Sequence, residues 1–352
     1  MLVRHEGGRY AVVVRSGACA DLPALVAERH PGARIAVIAD ADVVAILGSP
    51  IAGAETITFA AGEASKSRAT WAGLTDQLLA ARFDRHSVIV AFGGGVTTDL
   101  AGFVAATYLR GVPWIAVPTT TLSMLDAAIG GKTGVDTPHG KNLVGAFHPP
   151  TAVVCDPALL TTLPDRRFRE GLAEAVKHGV ILDARYAEWI MANAAAILQR
   201  DQTVLAQLIR RSVEIKAEVV MADEHEGDRR AVLNAGHTVA HALERATDYA
   251  VPHGEAVAIG LVTETRIAEQ GSIAAAGTAD YITTLCAALG LPTALPAGVS
   301  AAALVDGMQS DKKNRDGVVQ AAFVASVGKP APLDGGWTRP LDLDLLRALL
   351  AS

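Results

Sequence analysis

The chain has 352 residues, half of them apolar, 19% charged and only 5% aromatic, with a formal net charge of −6. That composition fills a substantial core with small aliphatic side chains and argues against disorder, and at roughly 150 residues per domain the length fits two domains. The acidic balance argues against nucleic-acid or membrane partners, so any anion must meet a local cluster of Lys and Arg.

Cys19, Cys155 and Cys286 lie far apart and form no CxxC, against a thiolate zinc knuckle or a disulfide framework. The opening MLVRHEGGRY is too polar for a secretory signal, and no run of ~18 apolar residues occurs. A cytoplasmic protein is expected.

Along the first 157 residues, β-rich and helical runs alternate. AVVV (11–14), RIAVIAD (34–40), SVIVAFGGG (87–95), WIAVPTT (114–120) and AVVCD (152–156) are short, branched apolar runs, as buried strands are. Residues 68–82 and 97–109 have helical spacing. The alternation predicts an α/β half with a mostly parallel, Rossmann-like sheet. In SVIVAFGGGVTTDLAGFVAATYL three glycines join a strand to a helix, where backbone approaches an anion and the helix start supplies free N–H groups. A tight turn alone needs one or two glycines. The pattern departs from GxGxxG, because Thr98 occupies the third-glycine position. Asp40, ending RIAVIAD, sits where a carboxylate binds a ribose hydroxyl, although Asp at a strand end is commonly a cap. Residues 119–142, TTTLSMLDAAIGGKTGVDTPHGKN, read as a long functional loop whose Asp126, Lys132, Lys141 and Asn142 among glycines suit oxyanion binding.

From 158 onward the texture turns helical, over 168–182, 186–199, 204–222, 231–247, 254–270, 278–289, 300–308 and 342–351, with one strand at 320–326. The chain is thus expected to divide into an α/β domain, 1–157, and a mainly α-helical C-terminal domain, 158–352. REGLAEAVKHGVILD puts Glu174, Lys177 and His178 on one helix face. LNAGHTVAHALE puts His237 and His241 one turn apart, and VPHGEAVAIG puts His253 at a helix start. Several imidazoles and a carboxylate in apolar helical surroundings favour a metal over satisfied core histidines, and N and O donors without thiolates suit a catalytic zinc. Glu174, His237 and His253 form one candidate set. His237 with His241 is another, as in zinc hydrolases, but Thr238 stands where HExxH requires Glu. Lys177, Lys216, Arg229, Arg230, Lys312 and Lys313 supply cations. Lys216 lies in an apolar helical stretch, where a merely structural lysine must snorkel. Cations gathered by an acidic protein point to a substrate with several negative charges.

GGGVTTDLAGFVAATYLRG, VPTTTLSMLDAAIGGKTGVDTPHGKNLVGAFHPP, GLAEAVKHGVILD, KAEVVMADEHEGDRRAVLNAGHTVAHALE, HGEAVAIGL and DKK occur in that order. Together, over about residues 34 to 328, they make the chain resemble the 3-dehydroquinate synthases, sugar phosphate cyclases of the shikimate pathway of aromatic amino acid biosynthesis. The resemblance implies a cytoplasmic homodimeric lyase that binds NAD in the first domain and a divalent metal, zinc or cobalt in its place, in the second. It implies conversion of 3-deoxy-D-arabino-heptulosonate 7-phosphate to 3-dehydroquinate and phosphate, through transient oxidation, phosphate elimination, re-reduction, ring opening and aldol closure. Glu174, His237 and His253 match the metal ligands. Asp126, Lys132, Asn142, Lys177, Lys216, Glu226, Arg230 and Asn234 match the substrate pocket, and His241 faces the substrate phosphate. Arg110 matches an arginine that reaches the partner subunit's site, and one of Lys312 and Lys313 matches a further substrate lysine. For NAD the candidates are Asp40, Glu63, Lys66, Gly94, Gly95, Asp99, Thr119, Thr120 and Lys141.

Two residues depart from the family pattern: Thr98 replaces a glycine after the turn, and Asp136 replaces an asparagine. They leave room for an amino-dehydroquinate or sedoheptulose 7-phosphate cyclase. Arg230, Asn234 and His241 keep the identities that go with a carboxylate-bearing substrate. A metal-dependent polyol dehydrogenase would release NADH stoichiometrically and has no use for Lys132, Lys141 and His241. A catalytically silent NAD- or sugar-phosphate-binding regulator would lack a ligand or a cation, and none is missing.

Overall fold

A computed structural model describes residues 1–309, 318–333 and 336–351. The chain forms two compact units, Met1–Pro164 with Leu205–Ala217, and Asp165–Val204 with Glu218 to the C-terminus.

In the first unit, β1 (Leu2–His5), β2 (Gly8–Val14), β3 (Ile35–Asp40), β4 (Glu55–Phe59), β5 (Val88–Gly93), β6 (Trp114–Pro118) and β9 (Ala152–Cys155) build one sheet in the order β1-β2-β9-β6-β5-β3-β4. The β1–β2 pair is antiparallel and every other pair is parallel. Helices α1 (Leu22–Arg29), α2 (Ala41–Leu47), α3 (Arg68–Ala80) and α4 (Gly95–Thr107) connect the strands. Val37, Ala39, Val88, Val90, Phe92, Ile115, Val117 and Val154 form a buried cluster with Leu22 and Val26 of α1. Each buried Val, Leu, Ile or Phe side chain there contributes about 1.5–3 kcal/mol by leaving water.

β3 pairs with β4 on one side and β5 on the other, so the chain reverses its direction of travel across the sheet there. Ligands of open parallel sheets bind outside the carboxyl ends of strands at such a switch. The ends of β3 and β5 are Asp40 and Gly93.

Residues 119–142 depart from the expected loop. Ser123–Ala127 is a π-helical turn, and the chain then forms a hairpin of β7 (Lys132–Thr137) and β8 (Gly140–Phe147). Gly134 and Gly145 permit it: a Cβ on Gly145 would stand 2.1 Å from the Thr133 carbonyl oxygen.

The second unit comprises α5 (Asp165–Leu182), α6 (Ala184–Leu198), the flanks of α7 (Gln202–Ala222), α8 (His237–Ala246), α9 (His253–Gln270), α10 (Thr278–Ala288), α11 (Ala301–Gln309) and α12 (Leu343–Ala351). The expected strand 320–326 is two short strands, Gln320–Ala321 and Val324–Ser326. The helix expected over 231–247 is broken. A 3-10 turn ends at Asn234, and α8 starts only after Gly236, whose φ is 78°. Gly236 admits nothing larger, because its Cβ would fall 2.8 Å from the Leu261 nitrogen of α9. His237 is therefore the first residue of α8 and not a mid-helix one.

Candidate functional site

Three helices of the second unit supply the metal-binding candidates: Glu174 from the middle of α5, His237 from the start of α8 and His253 from the start of α9. The Glu174 carboxylate lies 3.8 Å from His237 Nε2 and 3.6 Å from His253 Nε2. The three offer ligand atoms that all lie within 4.8 Å of one another. Two donors each ~2.1 Å from a tetrahedral zinc stand about 3.4 Å apart, so small side-chain adjustments close this set on one ion. The alternative set built on His237 and His241 is not among the clusters the described residues form. His241 stands beside the triad, its ring 5.4 Å from that of His237 and 6.3 Å from that of His253.

The far side of each imidazole is held. His237 Nδ1 lies 3.1 Å from the Ala235 carbonyl, which requires Nδ1 to donate and leaves Nε2 as the lone-pair donor. His253 Nδ1 lies 3.6 Å from Glu244, a buried carboxylate of α8. The electrostatics differ accordingly. Burial, with Lys177 close by, pushes the His237 pKa well below the ordinary value. Desolvation also works against charge on His253, but Glu174 and Glu244 on either side outweigh it and raise its pKa to about 10. Lys177, 2% exposed, forms an ion pair with Glu174. Two buried carboxylates converging with the two imidazoles concentrate negative charge and nitrogen donors at one point, which suits a divalent cation.

Glu226, Arg230 and Asn234 also come together. The Asn234 amide donates to Glu226 Oε1 at 3.3 Å, and the Arg230 guanidinium donates to the Glu224 carbonyl at 2.8 Å. Asp223 organises this segment by accepting the backbone N–H groups of Gly227, Asp228 and Arg230 at 2.8–2.9 Å. Burial works against the Asp223 carboxylate, yet these donors hold its pKa below the usual range. Sequence reasoning passed over Asp223 and Glu244. Glu244 was readable, being on the face of His237 and His241 at i+7 and i+3.

In the first unit, Asp40, Gly94, Gly95, Thr119 and Thr120 line the carboxyl ends of β3, β5 and β6. The Thr119 N–H donates to the Gly93 carbonyl at 2.9 Å. The glycine run has two duties. A Cβ on Gly93 would meet Thr97 Oγ1 at 2.2 Å, and one on Gly94 would meet Thr120 Cγ2 at 2.9 Å, so both are needed for the chain's own packing. A Cβ on Gly95 makes only an ordinary contact, 3.6 Å from Ala127. No side chain among the described residues caps the start of α4, whose N–H groups are left to serve an anion. Asp40 Oδ1 accepts the Val43 N–H at 2.8 Å as the cap of α2, which occupies that oxygen. Thr98 turns its hydroxyl back onto the Gly95 carbonyl at 3.1 Å, so its replacement of glycine is absorbed within α4.

Four of the charged NAD candidates of this unit, Glu63, Lys66, Asp99 and Lys141, form one network. Lys66 forms an ion pair with Asp99, and Lys141 lies 3.4 Å from Glu63. Burial works against the Lys66 ammonium, but Asp99 and Glu63 outweigh it and raise its pKa. Asp136, the second departure, accepts the Asn142 N–H at 2.8 Å and donates its own N–H to the Lys66 carbonyl at 2.7 Å. It fixes Asn142, whose φ is 55°. Lys216, 5% exposed, reaches Asp126 twice, donating to the carbonyl at 2.6 Å and pairing with the carboxylate at 2.8 Å. The apolar stretch around it is thus no place for snorkelling. Lys132 is exposed at the start of β7, and Arg110 is exposed in a left-handed turn with φ 69°. Lys312 and Lys313 lie outside the described residues.

Residues 56–170 match the family model described as 3-dehydroquinate synthase N-terminal, and residues 171–314 match 3-dehydroquinate synthase C-terminal. A 3-dehydroquinate synthase from Symbiobacterium thermophilum is 46% identical over 321 residues, 88% of this chain and 90% of the relative. Among solved structures, 2-epi-5-epi-valiolone synthase from Streptomyces hygroscopicus subsp. jinggangensis, with NAD+ and Zn2+ bound, is 28% identical with a TM-score of 0.86, over 97% of this chain and 96% of its own. A 2-deoxy-scyllo-inosose synthase complexed with carbaglucose-6-phosphate, NAD+ and Co2+ shares the fold at 24% identity and a TM-score of 0.91, over 99% and 98%.

Proposed function

Since this chain belongs to the 3-dehydroquinate synthase family, we propose that it converts 3-deoxy-D-arabino-heptulosonate 7-phosphate to 3-dehydroquinate and phosphate, with Glu174, His237 and His253 holding the divalent metal. It is a lyase. The observation that carries the reading is the convergence of one carboxylate and two Nε2 atoms, each imidazole fixed from behind.

When bound, NAD would supply the hydride acceptor and donor, and a zinc held by Glu174, His237 and His253 would supply Lewis acidity toward the hydroxyl that is oxidised. The chain's own residues bind and orient. Gly94, Gly95, Thr119 and Thr120, with the uncapped start of α4, cradle the dinucleotide phosphates, and Asp40, Glu63, Lys66, Asp99 and Lys141 serve the rest of the cofactor. The residues assigned to the substrate are Lys177, Glu226, Arg230, Asn234 and His241, together with Asp126, Lys132, Asn142 and Lys216. Charge-assisted hydrogen bonds from these cations to carboxylate and phosphate hold the substrate in place through successive steps.

The test is phosphate release from the heptulosonate phosphate with trace NAD and zinc, run beside sedoheptulose 7-phosphate. Turnover of the first alone, without net NADH, is expected. Stoichiometric NADH, or preference for the substrate without a carboxylate, would refute the reading.

The protein acts as a cytoplasmic homodimer in which Arg110 serves the partner subunit's site. No helix among the described residues is long and apolar enough to cross a membrane. Arg110→Ala and Glu174→Gln subunits should each be inactive alone. Mixed at random, they should regain about a quarter of wild-type activity, because half the dimers carry one intact site of two. Equal inactivity of the verified mixed dimer would place Arg110 in its own subunit's site.

A further inference from the structure

His237 is the first residue of α8, yet the local sequence provides no cap there. Its predecessor is Gly236, which has no side chain to offer. The cap comes from α9. Glu264, 2% exposed, accepts the Gly236 N–H on Oε2 at 2.7 Å and the Val239 N–H on Oε1 at 2.9 Å. Those two amides bracket His237. A carboxylate there satisfies two donors that a helix start leaves orphaned and sits at the positive end of the helix dipole.

The same contact has no slack. A Cβ on Gly260 would stand 2.0 Å from the Gly236 carbonyl oxygen, so the α8 start and the middle of α9 meet backbone to backbone. His237 Nδ1 takes its orientation from the Ala235 carbonyl, two residues back on the same strapped segment. A buried carboxylate is a costly way to join two helices that an aliphatic side chain would also pack. What it adds is direction: both oxygens fix where residues 236 to 239 point.

We propose that Glu264, which is not one of the three donors, sets the metal affinity of the site by positioning His237 through the start of α8. The proposal rests on the assignment of His237 as a ligand made above. Glu264→Gln keeps the volume but offers one acceptor oxygen to two N–H groups. Glu264→Asp keeps the charge with a shorter reach.

The experiment uses the full chain with Co2+ as probe. Its dissociation constant is read by competition with a chromophoric chelator, its ligand field by visible absorption, and the Val239 amide by hydrogen exchange. Glu264→Gln should weaken Co2+ by about 10–100-fold, the usual effect of altering a ligand's support, shift the cobalt spectrum and speed Val239 exchange. Glu264→Asp should fall between, and it carries the comparison if Glu264→Gln does not fold. Ile190→Ala, a buried truncation in α6, should lower the thermal midpoint while leaving affinity and spectrum unchanged. Wild-type affinity and spectrum in the Glu264 variants, or a loss no greater than that of Ile190→Ala, overturns the proposal. A wild-type protein that binds no Co2+ would instead overturn the metal assignment, and this inference with it.

Discussion

Glu174→Gln is expected to lose bound zinc and phosphate release together and also to lower the urea midpoint, whereas His253→Ala should lose the first two with a much smaller stability cost. Glu174 has two roles that His253 lacks. It is the only charged donor of the triad, and it answers the buried ammonium of Lys177, one turn along α5. Removing one partner of a buried ion pair costs about 3–5 kcal/mol. The His253 side chain is 30% exposed, so its truncation leaves less void, and water can reach the Glu174 and Glu244 carboxylates that it uncovers. In both variants the loss of metal affinity should exceed the ~10–100-fold that altering a ligand's hydrogen-bond partner costs. Zinc content after dialysis, phosphate release and urea unfolding separate these effects. Full zinc occupancy in either variant would remove that residue from the ligand set.

The residue types of the site were legible in the sequence, but their partners were not. Strands β3, β5, β6 and β9 announce themselves as unbroken aliphatic runs, because a strand buried on both faces has no polar side. β4 reads ETITF, half exposed at the sheet edge, and gives no such signal. The β7–β8 hairpin was hidden by its glycines, which look like loop until a neighbouring strand requires close approach. The unusual burial of Lys216 was evident from its apolar neighbours, yet Asp126 lies 90 positions away and no local pattern names it. The triad depends on helix ends. His237 reads as the middle of a long helix until Gly236 breaks it, and the carboxylate that rebuilds the break, Glu264, sits on another helix 28 positions later.

Gly254→Ala is expected to damage the metal site as severely as a ligand change while leaving every ligand in place. A Cβ on Gly254 would stand 1.8 Å from the Glu170 carbonyl oxygen and 2.5 Å from its carbon, both backbone atoms that no rotamer can move aside. Glu170 lies one turn before Glu174 on α5, and Gly254 directly follows His253 on α9. The glycine therefore sets how closely the helices carrying those two ligands approach. On the same faces, Arg166 clamps Glu255 with two hydrogen bonds of 2.6 and 3.0 Å, so α9 cannot shift there without straining that pair. Overpacking of this kind typically costs about 1–3 kcal/mol. Here the helices must part by more than about 1 Å to relieve it, because interiors at crystal-like density have no spare room. That displacement opens the 3.6 Å separation of Glu174 and His253, and Zn2+ affinity should fall by at least the ~10–100-fold of a lost supporting contact. Gly271→Ala is the matched control. It ends the same helix with φ −80°, and its nearest new contact is an ordinary 3.4 Å. Chelator competition with both variants reads the difference. Wild-type affinity in Gly254→Ala would mean that the α5–α9 approach does not govern the geometry of the site.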